Sequence, residues 1–136
     1  MTWMFDTDIM IHLIKRKPGY ERIARRMSGR SPGELRLSAI TVSELRFGAA
    51  NGEFRKENEA ALEDLLGLFE LEDLPCGAAT DFAQIKIALQ SKGKLIGPYD
   101  MLIASHARHR SSTVVTNNER EFRRVPGLSV ENWLKP

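Results

Sequence analysis

The chain has 136 residues, 42% hydrophobic and 28% charged, with 20 Lys and Arg against 18 Asp and Glu for a formal net charge of +2. That length supports one hydrophobic core rather than two, so a single domain over residues 1–136 is expected, and the composition excludes a disordered or fibrous chain. Cys76 is the single cysteine, no Cys/His set has zinc spacing, and no apolar run reaches membrane-spanning length or follows a basic leader, so a cytoplasmic protein without a disulfide is expected.

Taken in chain order, Trp3-Met4-Phe5 is a short apolar run ending at Asp6. Ile9, Leu13 and Ile14 then recur at helical spacing until Pro18, which reads as strand, acidic turn and helix. Tyr20–Met27 is a second helix with Ile23 and Met27 inward. Leu35–Ser38 alternates like a strand, and Thr41 followed by Glu44 has the spacing of a capping box opening a helix that ends near Asn51-Gly52. Residues 54–69 carry Ala61, Leu62, Leu65, Leu66 and Phe69 at a period near that of a helix, and residues 71–74 read as a short strand. Ala78–Ser91 is a helix burying Phe82, Ile85 and Leu89, and another helix follows Gly97-Pro98. Residues 113–116, Thr-Val-Val-Thr, form the clearest strand, and residues 128–130 add one more.

Short strands alternating with helices point to an α/β domain, with a central, mostly parallel sheet of four to five strands covered on both faces. In such sheets the ligand site lies beyond the carboxyl ends of the strands, where strand order reverses. Three carboxylates sit in otherwise apolar stretches near that rim: Asp6 after the first strand, Glu44 just after the second, and Asp100 in the first turn of the helix leading to the Val114-Val115 strand. A carboxylate drawn out of water is penalised unless a cation or hydrogen bonds offset its desolvation, so three of them suggest one shared metal. Oxygen ligands suit Mg²⁺, with Mn²⁺ as a substitute. Asp6 and Asp100 are the direct ligand candidates, with Glu44 completing the shell or assisting deprotonation. Asn118 can orient a water but adds little cation affinity.

Each residue also has a purely structural role open to it. Asp6 and Asp100 suit helix starts, Glu44 a capping box, and Asn117-Asn118 a turn. Their joint placement on one rim favours the functional reading. Basic residues outnumber acids in residues 1–30 and 86–136, while acids dominate residues 53–73, so a polyanion such as nucleic acid would be steered toward the ends that carry the site. Arg108, Arg110, Arg120, Arg123 and Arg124 are candidate phosphate contacts. Phe47, Phe54 and Leu13 are candidates for a groove that takes an amphipathic peptide.

Four segments together carry a family resemblance. Phe-Asp-Thr-Asp-Ile at the N-terminus, Leu-Ser-Ala-Ile-Thr-Val-Ser-Glu-Leu-Arg-Phe-Gly-Ala, Ile-Gly-Pro-Tyr-Asp-Met-Leu-Ile-Ala-Ser-His-Ala and Val-Val-Thr-Asn-Asn-Glu-Arg-Glu-Phe resemble, in order and spacing, the VapC toxins. These are PIN-domain ribonucleases of type II toxin-antitoxin modules. The resemblance extends through Trp133. It implies a PIN-like three-layer α/β/α fold and a Mg²⁺-dependent endoribonuclease that cuts tRNA or rRNA and blocks translation. It further implies a VapB-type antitoxin whose C-terminal segment covers the site, and a homodimer. Asp6, Glu44 and Asp100 match the family's acids. Asn118 stands where many members carry Asp, and Asp8 where many carry Asn; Asp8 is read as a cap of the first helix in preference to a place in the metal's outer shell.

Two rival readings stand beside this one. Asp6-Thr7-Asp8 after an apolar strand also resembles the nucleophile and acid pair of haloacid-dehalogenase-type phosphatases, although no Gly-Asp-x-x-x-Asp run follows downstream. A PIN-like binding module without catalysis is the other.

Overall fold

A computed structural model describes all residues, 1–136. The elements are β1 (Trp3–Phe5), α1 (Thr7–Ile14), α2 (Tyr20–Met27), β2 (Leu35–Ser38), α3 (Ala39–Ala50), α4 (Arg55–Leu66), β3 (Glu70–Glu72), α5 (Ala78–Ser91), α6 (Pro98–His109), β4 (Thr113–Val115), α7 (Glu119–Phe122) and β5 (Val130–Glu131). The five strands form one sheet in the order β3-β2-β1-β4-β5, and every pairing is parallel.

That order fixes where the helices go. Parallel crossovers are right-handed, so the chain covers one sheet face while stepping from β1 to β2 to β3, and the other face after it doubles back to β4 and β5. The core divides accordingly. Trp3 and Phe5 of β1 point into a cluster with Ile9, Met10, Ile23, Leu37, Leu45, Leu62 and Trp133. Met4, between them in the strand, points the other way, into a cluster with Ile85, Leu89, Met101, Ile103, Val114 and Phe122. The period of two in a strand produces this split. Trp133 is fully buried and meets Phe5 edge-on at 5.3 Å between ring centroids, so the C-terminal segment closes the first cluster.

Several local expectations are corrected. The capping box at Thr41 does not form. β2 runs straight into α3, Ser38 is the N-cap, and its hydroxyl accepts from the Ile40 N–H at 3.2 Å; with no loop between them, the strand's own last residue takes the role. Thr41 is buried inside the helix instead. Asp8 does not cap α1 either. Asp6 does, accepting from the Ile9 N–H at 2.8 Å, because the cap stands just before the first helical residue and Asp8 is already within the first turn. The third strand is Glu70–Glu72 rather than residues 71–74, and α7 is a short helix the sequence pattern did not reveal.

Strand order reverses between β1 and β4, which places the switch point at their carboxyl ends. Asp6 follows β1, and Thr116, Asn117 and Asn118 follow β4.

Candidate active site

An open, polar cleft at this switch point is lined by Asp6, Asp8, Asp100, Asn117 and Asn118, with no hydrophobic residue among them. Asp6 is held by two hydrogen bonds on different oxygens. Its Oδ1 caps α1 through the Ile9 N–H, and its Oδ2 accepts from the Thr116 hydroxyl at 2.5 Å. Each carboxylate oxygen has a second lone pair, so capping and coordination are compatible in one side chain. Thr116 is itself fixed, because its hydroxyl oxygen accepts the Asn118 N–H at 2.8 Å. Residues separated by 110 positions thereby fix the first acid in place.

Asp100 reaches the cleft from the first turn of α6. Pro98 opens that helix, where its missing N–H costs nothing and its fixed φ suits the start, and an acid two residues later is favoured by the helix dipole. Glu44 comes from α3 and stands to one side, its Oε1 accepting from the Thr7 hydroxyl at 2.6 Å. Asn118 donates its amide Nδ2 to Glu121 Oε2 at 2.8 Å, leaving its carbonyl oxygen as the free acceptor.

Electrostatics set this cleft apart. Burial pushes the Asp6 carboxyl up to about 7 against the opposing hydrogen bonds from Thr116 and Ile9, and repulsion from Asp8 and Asp100 adds to the rise. Burial also pushes Asp100 up to about 6, with further repulsion from Glu44, Glu121 and Asp8. Five carboxylates therefore act on one another here, and no Lys or Arg pairs with Asp6, Asp8, Glu44 or Asp100. Such a field is relieved by a cation from outside the chain.

The donor chemistry fits a hard divalent ion, since every group at the cleft offers oxygen and none offers sulfur or imidazole. No three His, Cys, Asp or Glu side chains are grouped closely enough to enclose a metal by themselves. Glu44 is engaged by the Thr7 hydroxyl, and its charge adds to the repulsion that raises Asp100. A pair of carboxylates supplemented by water and phosphate is the mode Mg²⁺ commonly adopts.

The arginine candidates divide. Arg108 lies at the last turn of α6, at the opposite end from Asp100, where its guanidinium donates to Asp81 at 2.8 Å and to Gln84 at 2.6 Å. It does not join the acids, because α5 supplies its partners. Arg120 is exposed on α7, one residue before Glu121, while Arg123 is exposed and donates to Glu119 at 3.5 Å. Phe47, Phe54 and Leu13 do not share a groove: Phe47 lines one beside Tyr99, Leu13 lines another near Met27, and Phe54 lines neither. Sequence reasoning passed over Thr116, Thr7 and Glu121. The available signal for Thr116 was its position at the carboxyl end of the strongest strand; for Glu121 it was the Asn-to-Glu spacing of three on a helical turn.

A family model described as PIN domain matches residues 3–128. The chain is 41% identical over 134 residues to Ribonuclease VapC2 of Haemophilus influenzae, covering 98% of this chain and 99% of that protein. It is 38% identical over 133 residues to the tRNA(fMet)-specific endonuclease VapC of Shigella flexneri, covering 98% of each. Among solved structures, DNA-bound VapBC from Salmonella typhimurium matches with a TM-score of 0.88 at 39% identity over 98% of each chain. VapBC-1 from nontypeable Haemophilus influenzae matches with a TM-score of 0.88 at 31% identity, over 99% of this chain and all of that one.

Proposed function

The chain belongs to the PIN-domain family, among the VapC-type ribonuclease toxins, and from that premise we propose that it is a Mg²⁺-dependent endoribonuclease that cuts tRNA, with tRNA(fMet) as the first substrate to test. Residues 1–136 are read as one such domain. The observation that carries the proposal is the cleft at the switch point, where Asp6 and Asp100 are pushed up in pKa by burial and mutual repulsion with no cationic side chain beside them. The substrate follows from relatives in Shigella flexneri and Salmonella typhimurium at 38% and 39% identity, both tRNA(fMet)-specific endonucleases. VapBC complexes among the structural relatives support a VapB-type antitoxin as partner, and a homodimer is proposed with it. No helix is long and apolar enough to cross a membrane.

In this reading Asp6 and Asp100 hold the cation, and Mn²⁺ is a substitute of the same donor preference. When bound, such an ion supplies a lowered pKa for water and neutralises charge that develops on the phosphodiester. The protein's own side chains do the positioning. Thr116 and the Ile9 N–H fix the Asp6 carboxylate, leaving one lone pair of each oxygen directed elsewhere. Thr7 fixes Glu44 beside the cleft, where its carboxylate is available to accept a proton from water. Asn118 orients a water through its free carbonyl oxygen, and Glu121 brings to that corner the negative charge that Asn118 lacks. The aliphatic groove lined by Ile11, Ile14, Leu45 and Leu62 suits an amphipathic antitoxin segment. The phosphatase reading built on Asp6 and Asp8 is not favoured, given a whole-length match to ribonucleases.

Purified protein incubated with total RNA in Mg²⁺, followed by mapping of RNA ends, tests the proposal. We expect one dominant new end in tRNA(fMet), none in EDTA and none with Asp6→Asn. Cleavage confined to rRNA overturns the tRNA assignment, and cleavage that survives Asp6→Asn overturns the site.

A further inference from the structure

Two clefts flank Glu44, and they differ in chemistry. The one between α1, α3 and α4 is aliphatic, whereas the one between α3 and the start of α6 is aromatic, lined by Ile40, Ser43, Glu44, Phe47 and Tyr99. Its volume is ≈ 650 Å³, within the range of about 300–1,000 Å³ usual for small-ligand clefts. The four α3 residues stand at spacings of three and four, so they share one face of that helix. Phe47 is 68% exposed and Tyr99 57% exposed, a costly arrangement for two large rings unless something covers them.

We propose that this cleft is a nucleobase subsite, in which Phe47 and Tyr99 stack on an unpaired base of the RNA next to the phosphate held by the acids. The proposal rests on the ribonuclease reading and deepens it. Three observations favour a base over a peptide side chain. Tyr99 directly precedes Asp100 and Glu44 lines the cleft, so an occupant here is continuous with the acid site. Both rings line the cleft and are more than half exposed, and an aromatic ring stacks on any base and so tolerates sequence, as single-strand binding surfaces do. The polar wall is made of acceptors: Glu44 Oε2 is free, and Ser43 Oγ donates to Ala39 O at 2.8 Å, which leaves its lone pairs for an exocyclic amine. An adenine, cytosine or guanine therefore suits the wall better than uracil.

The test uses a short single-stranded RNA carrying 2-aminopurine, whose fluorescence falls on stacking, with full-length protein bearing Asp6→Asn so that the probe stays intact. We expect quenching on binding, and roughly tenfold weaker binding when Phe47→Ala or Tyr99→Ala is added. Phe47→Leu, which keeps apolar bulk without a π-face, should behave like Phe47→Ala, and Phe47→Tyr should restore quenching. Both residues are exposed, so these variants should keep the wild-type melting midpoint. Unchanged quenching in the double variant overturns the subsite. So does unchanged RNA binding accompanied by lost neutralisation by a VapB-type antitoxin, which would make the cleft a partner-protein pocket. Failure of the ribonuclease reading is seen separately, as intact total RNA after incubation with Phe47 and Tyr99 both present.

Discussion

Helix α6 carries charge at both ends, and the two ends are wired in opposite ways. At its start, Asp100 joins Asp6, Asp8, Glu44 and Glu121, all of one sign, and burial with mutual repulsion pushes Asp100 and Asp6 upward in pKa. At its end, Arg108 and His109 both meet Asp81. Burial alone would raise the Asp81 carboxyl, but hydrogen bonds from Arg108 and His109 hold it below its ordinary value. Between them, buried His106 contacts Ser38 Oγ at 2.8 Å and lies 3.3 Å from Glu72, and burial keeps its pKa low despite that carboxylate. A charged end whose partners are supplied by the chain is structural. An end whose repulsion the chain leaves uncompensated is where an outside cation belongs.

The largest effect should come from the uncompensated end. Asp100→Asn is expected to lower RNA cleavage by about 10²- to 10³-fold in single-turnover assays while leaving the melting midpoint near wild type or above it. A variant that kept most activity would show that the acids are not the reacting centre.

Stability in the absence of metal should separate the ends by pH. Asp6 is protonated more readily in the folded chain than in the unfolded one, so its stabilising contribution is complete below 3.8 and is lost as pH rises through about 7. Metal-free protein should therefore lose stability across that window, whereas Asp6→Asn should flatten the loss and Mg²⁺ should reverse it. Asp81 has the opposite sign, since its lowered pKa contributes stability that disappears as pH falls. Thermal melts from acid to neutral pH with and without Mg²⁺ measure both.

Thr116→Val should act more mildly, removing one hydrogen bond to the Asp6 carboxylate and raising its pKa further. We expect Mg²⁺ affinity at neutral pH to fall about tenfold and the rise of activity with pH to move upward, with recovery at alkaline pH. A loss of activity uniform across pH would mean that Thr116 serves packing alone. The smallest effects belong to the arginines. Arg108→Ala should cost about 1.5–3 kcal/mol of stability through its charged hydrogen bonds and leave cleavage per folded molecule unchanged. Arg123→Ala should not move the melting midpoint, and if its guanidinium meets a phosphate, the salt dependence of RNA binding should drop by about one charge. A cleavage defect in Arg108→Ala would undo the contrast between the two ends.

Much of this was legible along the chain because it depends on neighbours a few residues apart. The Trp3-Met4-Phe5 strand, the helix after Gly97-Pro98 and the Thr-Val-Val strand follow from period, turn chemistry and proline placement. Parallel topology and the right-handed crossover then put Asp6, Asp100 and Asn118 on one rim. Even so, local competition misled at Thr41 and Asp8, where two cap-competent residues stood within three positions and only the strand's end decided between them.

What the sequence by itself determined was which residues carry charge at the carboxyl rim, since the alternation of strands and helices follows from short-range pattern and a parallel sheet places the strand ends on one side. What only the tertiary structure decided was each charge's partner. Arg108 was as good a phosphate candidate as Arg120 until α5 brought Asp81 and Gln84 against it, and the Asp6 carboxylate had no long-range partner until Thr116 arrived from across the switch point. The physical reason is range. Hydrogen bonds within a helical turn are set by chain geometry, whereas the field at a carboxylate sums over groups that become neighbours only when the sheet and its two helical layers close.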